Sequence, residues 1–261
     1  MAELYGRYGV NAIDIAPGKY FPQPASATSD DMERVRDWWA SRGIEMVGMQ
    51  SLLFGTTGLN LFGSDDSREA MLAHLRAVCR IGQGIRATRL VFGSPTNRDR
   101  GQLGDDAALD IAVPFFRRLG DIADEHGVVF CLEPNPPCYG SNFMMTSQET
   151  FDVVRHVDHP AIRMQLDTGA MTINAEDPDA TVRACASVIG HVHASEPALI
   201  PVGDGPCDHS AIARSVREHL PEFIVTIEMV ATRDEPHRVA IERALRTTIS
   251  HYGDAVAGAS R

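Results

Sequence analysis

The sequence has no Cys-x-x-Cys pair, no apolar run long enough to cross a bilayer and no surplus of basic residues. Its five cysteines, Cys79, Cys131, Cys138, Cys185 and Cys207, are odd in number and scattered. That argues against a disulfide framework and for reduced thiols in a cytoplasmic protein. A membrane-spanning helix needs roughly 20 consecutive apolar residues, and without such a run no membrane partner is expected. The opening MAELYGRYGV lacks the basic-then-apolar order of a signal peptide. Lys and Arg number 24 against 35 Asp and Glu, for a formal net charge of −11. An acidic surface repels phosphate backbones, so nucleic acid is not an expected partner either.

What is present is alternation. Over 261 residues, 44% of them apolar, strand-like and helix-like segments follow one another with no linker or low-complexity stretch. Strands are expected at 11–17, 44–50, 88–95, 128–133, 162–167, 189–193 and 223–228. Helices are expected at 29–43, 67–87, 105–127, 146–158, 177–188, 208–219 and 235–252, the first capped by Ser29 or Asp30 and the third bent near Pro114. The closing AVAGASR reads as a frayed tail. Loops after strands are long and carry Gly, Pro, Asn and Ser, whereas loops after helices are short. This pattern predicts one domain, 1–261, folded as an α/β, TIM (β/α)8-type barrel with parallel strands and its working face at the strand C-terminal ends. The strands number seven, not eight. AELYGRYG reads as the end of a helix, NAIDIAP would be the second barrel strand, and the first strand is expected to be missing from the chain.

Four of the strands end in a potential ligand: VVFCLE in Glu133, IRMQLD in Asp167, IGHVH in His193 and FIVTIE in Glu228. The intervals are one strand, loop and helix each, which places the four side chains around one barrel mouth. Alternation along each strand turns apolar neighbours such as Phe130, Leu132, Leu166, Val225 and Ile227 toward the helices. It turns Cys131, Gln165, His191 and Thr226 inward, as a polar layer beneath the four, with Ile224 inward below Thr226. Asp14 on strand 11–17 also alternates inward. Three carboxylates and one imidazole facing a common point repel one another unless a divalent cation joins them. This donor set favours Mn²⁺, or Mg²⁺ or Co²⁺, over thiolate-bound zinc.

The segments LEPN (132–135), QLDTGAM (165–171), IGHVHASEP (189–197) with GDG (203–205), and TIEM (226–229) resemble the xylose isomerase-like TIM-barrel superfamily, in its sugar phosphate isomerase/epimerase branch. Relatives there include ketose 3-epimerases, hydroxypyruvate isomerase and inosose isomerases and dehydratases. The resemblance implies that Glu133, Asp167, His193 and Glu228 bind the metal and that Glu133 and Glu228 are also the catalytic acid/base pair. The implied reaction is metal-dependent isomerisation or epimerisation of a small sugar or sugar derivative through an enediolate; a dehydratase or lyase on a sugar or inosose-like substrate is the alternative. It also implies a homo-oligomer. Three positions depart from the ketose 3-epimerases: Ala170 stands for a His, Leu199 for an Arg and Tyr139 for a Glu, so the grip on substrate is expected to differ. Apurinic endonucleases share the barrel but need the His that Ala170 replaces. Candidate substrate-binding residues are Lys19, Gln50, Asn97, Arg98, Asn135, His191 and Glu196, with Arg98 and Lys19 able to hold a carboxylate or phosphate. His191 also suits the layer beneath the ligands. His209 is expected at a helix N-terminus rather than in the site.

Overall fold

The computed structural model describes residues 1–253; the AVAGASR tail lies outside the described residues. Seven parallel strands pair in chain order: β1 (Ala12–Ile15), β2 (Glu45–Met49), β3 (Arg89–Phe92), β4 (Val129–Leu132), β5 (Ile162–Asp167), β6 (Ile189–Ala194) and β7 (Val225–Ile227). They form a nearly closed barrel with helices between the strands, as the alternation predicts. No ladder joins β7 to β1 among the described residues. The seven-stranded barrel therefore has a seam between β7 and β1.

Around the strands lie α1 (Ala2–Arg7), α2 (Ser29–Ala40), α3 (Asp65–Ile85), α4 (Asp105–Glu125), α5 (Ser147–Val157), α6 (Thr168–Ile173), α7 (Pro178–Cys185), α8 (His209–His219) and α9 (His237–Tyr252). Most begin where a short polar side chain takes up an orphan backbone N–H. The cap of α2 is Thr28, one residue before the expected pair. Its hydroxyl accepts from the Asp31 N–H while the Asp31 carboxylate accepts from the Thr28 N–H, a reciprocal box. Ser64, Thr146, Asp177 and Asp208 cap α3, α5, α7 and α8. Pro114 lies inside α4, which runs on through it.

Alternation along the strands sorts the side chains as expected. Phe130, Leu132, Met164, Leu166 and Val192 join the apolar core against the helices, while Cys131, Gln165 and His191, between them in sequence, are buried outside that core. Phe92 of β3 meets Phe116 of α4 edge to face, with ring centroids 5.5 Å apart; burying each such side chain contributes roughly 1.5–3 kcal/mol. Ile224 lies at the end of the barrel opposite the strand-end acids. It precedes β7, is 48% exposed and lines a cavity at the strand N-terminal end. In the helix layer the seam is bridged by the Tyr8 hydroxyl, which donates to Glu242 of α9 at 2.7 Å and accepts from Arg246 Nε at 2.7 Å.

Candidate active site

β5 and β6 run in register, so Asp167 and His193 lie side by side at the barrel mouth. Glu133 continues β4, its N–H donating to Phe92 O at 3.1 Å, and Glu228 continues β7, its N–H donating to Ala194 O at 3.0 Å. One ligand atom from each of Glu133, Asp167, His193 and Glu228 lies within 4.8 Å of all the others. The structure thus brings together the four strand-end residues singled out in the sequence.

Each is held by neighbours. Asp167 Oδ1 accepts from the Ala170 N–H at 2.7 Å and so caps α6, while Oδ2 accepts from the Ser195 hydroxyl at 2.7 Å. Glu133 Oε2 accepts from Asn135 Nδ2 at 3.0 Å. His193 Nδ1 is 3.2 Å from Glu228 Oε2, and its Nε2 is 3.1 Å from Asp14 Oδ2. Burial, then the nearby Glu133 and Glu228 carboxylates, push the Asp167 carboxyl up to about 7. Burial opposes charge on His193, but Glu228 and the hydrogen-bonding carboxylates around the ring outweigh it and raise its pKa well above the usual imidazole value. Glu133 Oε1 is buried with no hydrogen-bond partner. Three carboxylates and an imidazole around one point, with one carboxylate oxygen free of hydrogen bonds, form a donor set that fits a divalent cation.

The expected substrate residues divide. Gln50 lines the mouth with Glu133 and Glu228, in a cavity of about 170 Å³ that Phe54 and Gly93 also border. Asn135 is buried against Glu133, and Lys19 is exposed in the turn after β1. The others are buried and hydrogen-bonded to groups of the protein. Asn97 is buried and donates to Leu59 O at 2.7 Å. Arg98 is wholly buried and donates through Nη1 to the Glu133 carbonyl at 2.8 Å; burial lowers its pKa to about 10 although Glu133 opposes this. Glu196 accepts from the Gly203 N–H, the Cys207 N–H and His209 Nε2, at 3.0, 3.1 and 3.0 Å. It braces the 203–209 loop, and His209 opens α8, where it meets the Tyr252 hydroxyl at 2.9 Å. His191 lies in the layer beneath, its Nε2 2.7 Å from Asp14 Oδ2.

Two residues with direct hold on the quartet carried little sequence signal. Asp14 was marked only by alternation. Ser195 follows His193 by two, a period that places it on the same face, and it ties Asp167 to β6. A cavity of about 800 Å³ lies at the opposite, strand N-terminal end among Arg89, Gly190 and Glu222. Its size does not make it the reaction site, because the quartet is at the other end.

The profile of the xylose isomerase-like TIM barrel family matches residues 3–250. The chain belongs to that family. Within it, a D-psicose 3-epimerase of Ruminiclostridium cellulolyticum is 33% identical over 85 residues, a stretch covering 33% of this chain and 29% of that protein. Two solved structures share the barrel nearly end to end. One is the D-psicose 3-epimerase of Clostridium cellulolyticum H10 with D-tagatose, at TM-score 0.79 and 17% identity, covering 98% of this chain and 92% of that one. The other is a 3-keto-D-glucoside 4-epimerase from E. coli, at TM-score 0.76 and 16% identity, covering 94% and 92%. At such identities the structural likeness establishes the fold alone. The Tyr139 hydroxyl accepts from the Ala198 N–H at 2.7 Å, beside Leu199, and both Ala198 and Leu199 have positive φ.

Proposed function

We propose that this protein is a divalent-metal-dependent isomerase or epimerase of a sugar or sugar derivative. The observation that carries the reading is the convergence of Glu133, Asp167, His193 and Glu228 at the strand C-terminal mouth, with one Glu133 oxygen left unpartnered. The family supports it, as do relatives named as epimerases of D-psicose and of a 3-keto-glucoside. The four side chains would hold the ion, Mn²⁺ in preference to Mg²⁺ or Co²⁺ on donor chemistry, and its charge would acidify a C–H beside a sugar carbonyl.

The chain's own groups do the rest. Glu133 and Glu228 come from strands on opposite sides of β5 and β6, so a substrate between them meets a carboxylate on either side. One removes the proton to give an enediolate and the other returns a proton. Return on the opposite face inverts a centre, and return at the neighbouring carbon moves the carbonyl. Asn135 fixes the Glu133 rotamer, Ser195 and the α6 N-terminus fix Asp167, and Gln50 presents a neutral polar group at the rim. The Tyr139 hydroxyl, bonded to the Ala198 N–H, would offer substrate hydroxyls a phenol in place of a carboxylate.

The test is NMR in D₂O with Mn²⁺-loaded protein over a panel of ketoses, inososes and sugar acids. Solvent deuterium in a rearranged sugar without loss of water is the expected result. Water loss would move the assignment to a dehydratase using the same site. Absence of exchange with every substrate and with Mn²⁺, Mg²⁺ and Co²⁺ would overturn the reading.

A further inference from the structure

We infer that Asp14 is a positioning residue for His193 and that, through Asp14, cation binding at the mouth and closure of the β1–β7 seam are linked. The inference rests on the metal-site reading above. His193 presents two nitrogens to two different surroundings. Nδ1 faces the carboxylates, 3.2 Å from Glu228 Oε2 and 3.6 Å from Glu133 Oε1. Nε2 faces away, 3.1 Å from Asp14 Oδ2. An imidazole that offers its Nδ1 lone pair to a cation must keep its other proton on Nε2, and that buried N–H needs an acceptor. Asp14 is that acceptor, and it turns the ring so that Nδ1 points to the ligand carboxylates.

The same oxygen closes the barrel. Asp14 stands on β1, and its Oδ2 also accepts from the Thr226 hydroxyl of β7 at 2.8 Å and lies 2.7 Å from His191 Nε2 of β6. No backbone ladder crosses from β7 to β1 among the described residues, so this carboxylate joins the two edges where hydrogen bonds between strands do not. Its place is prepared from the other side as well: at Gly48 on β2 a Cβ would collide with Asp14 Oδ1. A single buried acceptor thus serves a ligand histidine and both edges of the seam. Whatever fixes His193 against Asp14 tightens the seam, and loosening the seam frees His193; such coupling is reciprocal.

The experiment uses chelator-stripped full-length protein, Mn²⁺ titrated by calorimetry, and hydrogen–deuterium exchange of the β1 segment with and without Mn²⁺. Wild type is expected to bind Mn²⁺ and to show slower exchange in β1 when loaded. Asp14→Asn should weaken Mn²⁺ binding on the order of 10–100-fold, the usual effect of removing a partner behind a metal ligand, and abolish the added protection. Thr226→Val, which removes the β7 hydroxyl from Asp14 but leaves the Asp14–His193 contact, should lose the added protection and weaken Mn²⁺ binding by less than Asp14→Asn does. If Asp14→Asn does not fold, Gly48→Ala displaces the carboxylate from behind and is expected to weaken Mn²⁺ binding likewise. Asp14→Asn or, in its place, Gly48→Ala binding Mn²⁺ as wild type does would overturn the positioning role. Equal β1 exchange in loaded and stripped wild type would overturn the link to the seam. Failure of wild type itself to bind Mn²⁺, Mg²⁺ or Co²⁺ would remove the metal site, and this inference with it.

Discussion

Arg98 donates through Nη1 to the backbone carbonyl of Glu133 at 2.8 Å, and no part of its side chain reaches solvent. A loop arginine at a barrel mouth suggests a hand for an anionic substrate. Here one guanidinium nitrogen instead holds the strand end that presents Glu133. Arg98→Ala is expected to destabilise the protein by about 2–4 kcal/mol through the cavity and the unpaired carbonyl it leaves. Urea denaturation measures this. A variant of wild-type stability with only a raised KM would return Arg98 to substrate binding.

Glu133→Gln and Glu228→Gln preserve side-chain shape and should fold. Each removes a carboxylate assigned to proton transfer as well as to the cation, so kcat should fall by at least about 10²–10⁴-fold, the range for one acid–base group. Steady-state kinetics beside circular dichroism gives the answer. Near wild-type turnover in both would sink the assignment of the pair.

The Asp167 carboxyl is held up to about 7 against an ordinary 3.8, first by burial and then by Glu133 and Glu228, and His193 is raised as well. A raised folded-state pKa means the native protein keeps a proton that the unfolded chain releases. For Asp167 that stabilisation is complete below 3.8 and is lost as pH rises through about 7. Metal-free protein should therefore melt at lower temperature as pH rises across this window. Mn²⁺ affinity should move the opposite way, by about tenfold per pH unit for each proton displaced. Melting curves with chelator and with Mn²⁺ report both trends. An affinity indifferent to pH would contradict the site as drawn.

Glu196 is 1% exposed and its two oxygens take up Gly203, Cys207 and His209. Glu196→Ala leaves the buried His209 donor without this partner, at about 1–3 kcal/mol, and releases the Gly203 and Cys207 N–H groups of the loop. The expected result is a large loss of stability and faster proteolysis in 203–209. Intact stability with weakened substrate binding would show instead that Glu196 faces the ligand.

Much of the scaffold was readable along the chain because its signals are local. Apolar runs closed by Glu133, Asp167, His193 and Glu228 repeat at the interval of a strand and helix, and alternation within each run says which way the closing side chain points. The short helix α6 escaped notice: it has six residues and begins on the Asp167 carboxylate itself, so no periodicity precedes it. Ser195 was legible in principle, two residues beyond His193.

From the sequence alone came the barrel, the count of seven strands and the four residues at its mouth, since strand period and repeat length are properties of neighbouring residues. Only the tertiary structure decided what the remaining polar side chains serve. Asp14 lies 179 positions from His193 and 212 from Thr226, and their meeting depends on the curl of the whole sheet. Arg98, Asn97 and Glu196 carry the residue types of a binding site, yet each is buried and hydrogen-bonded to other parts of the chain. A polar side chain removed from water must find a partner, and which partner it finds is set by the elements that close around it.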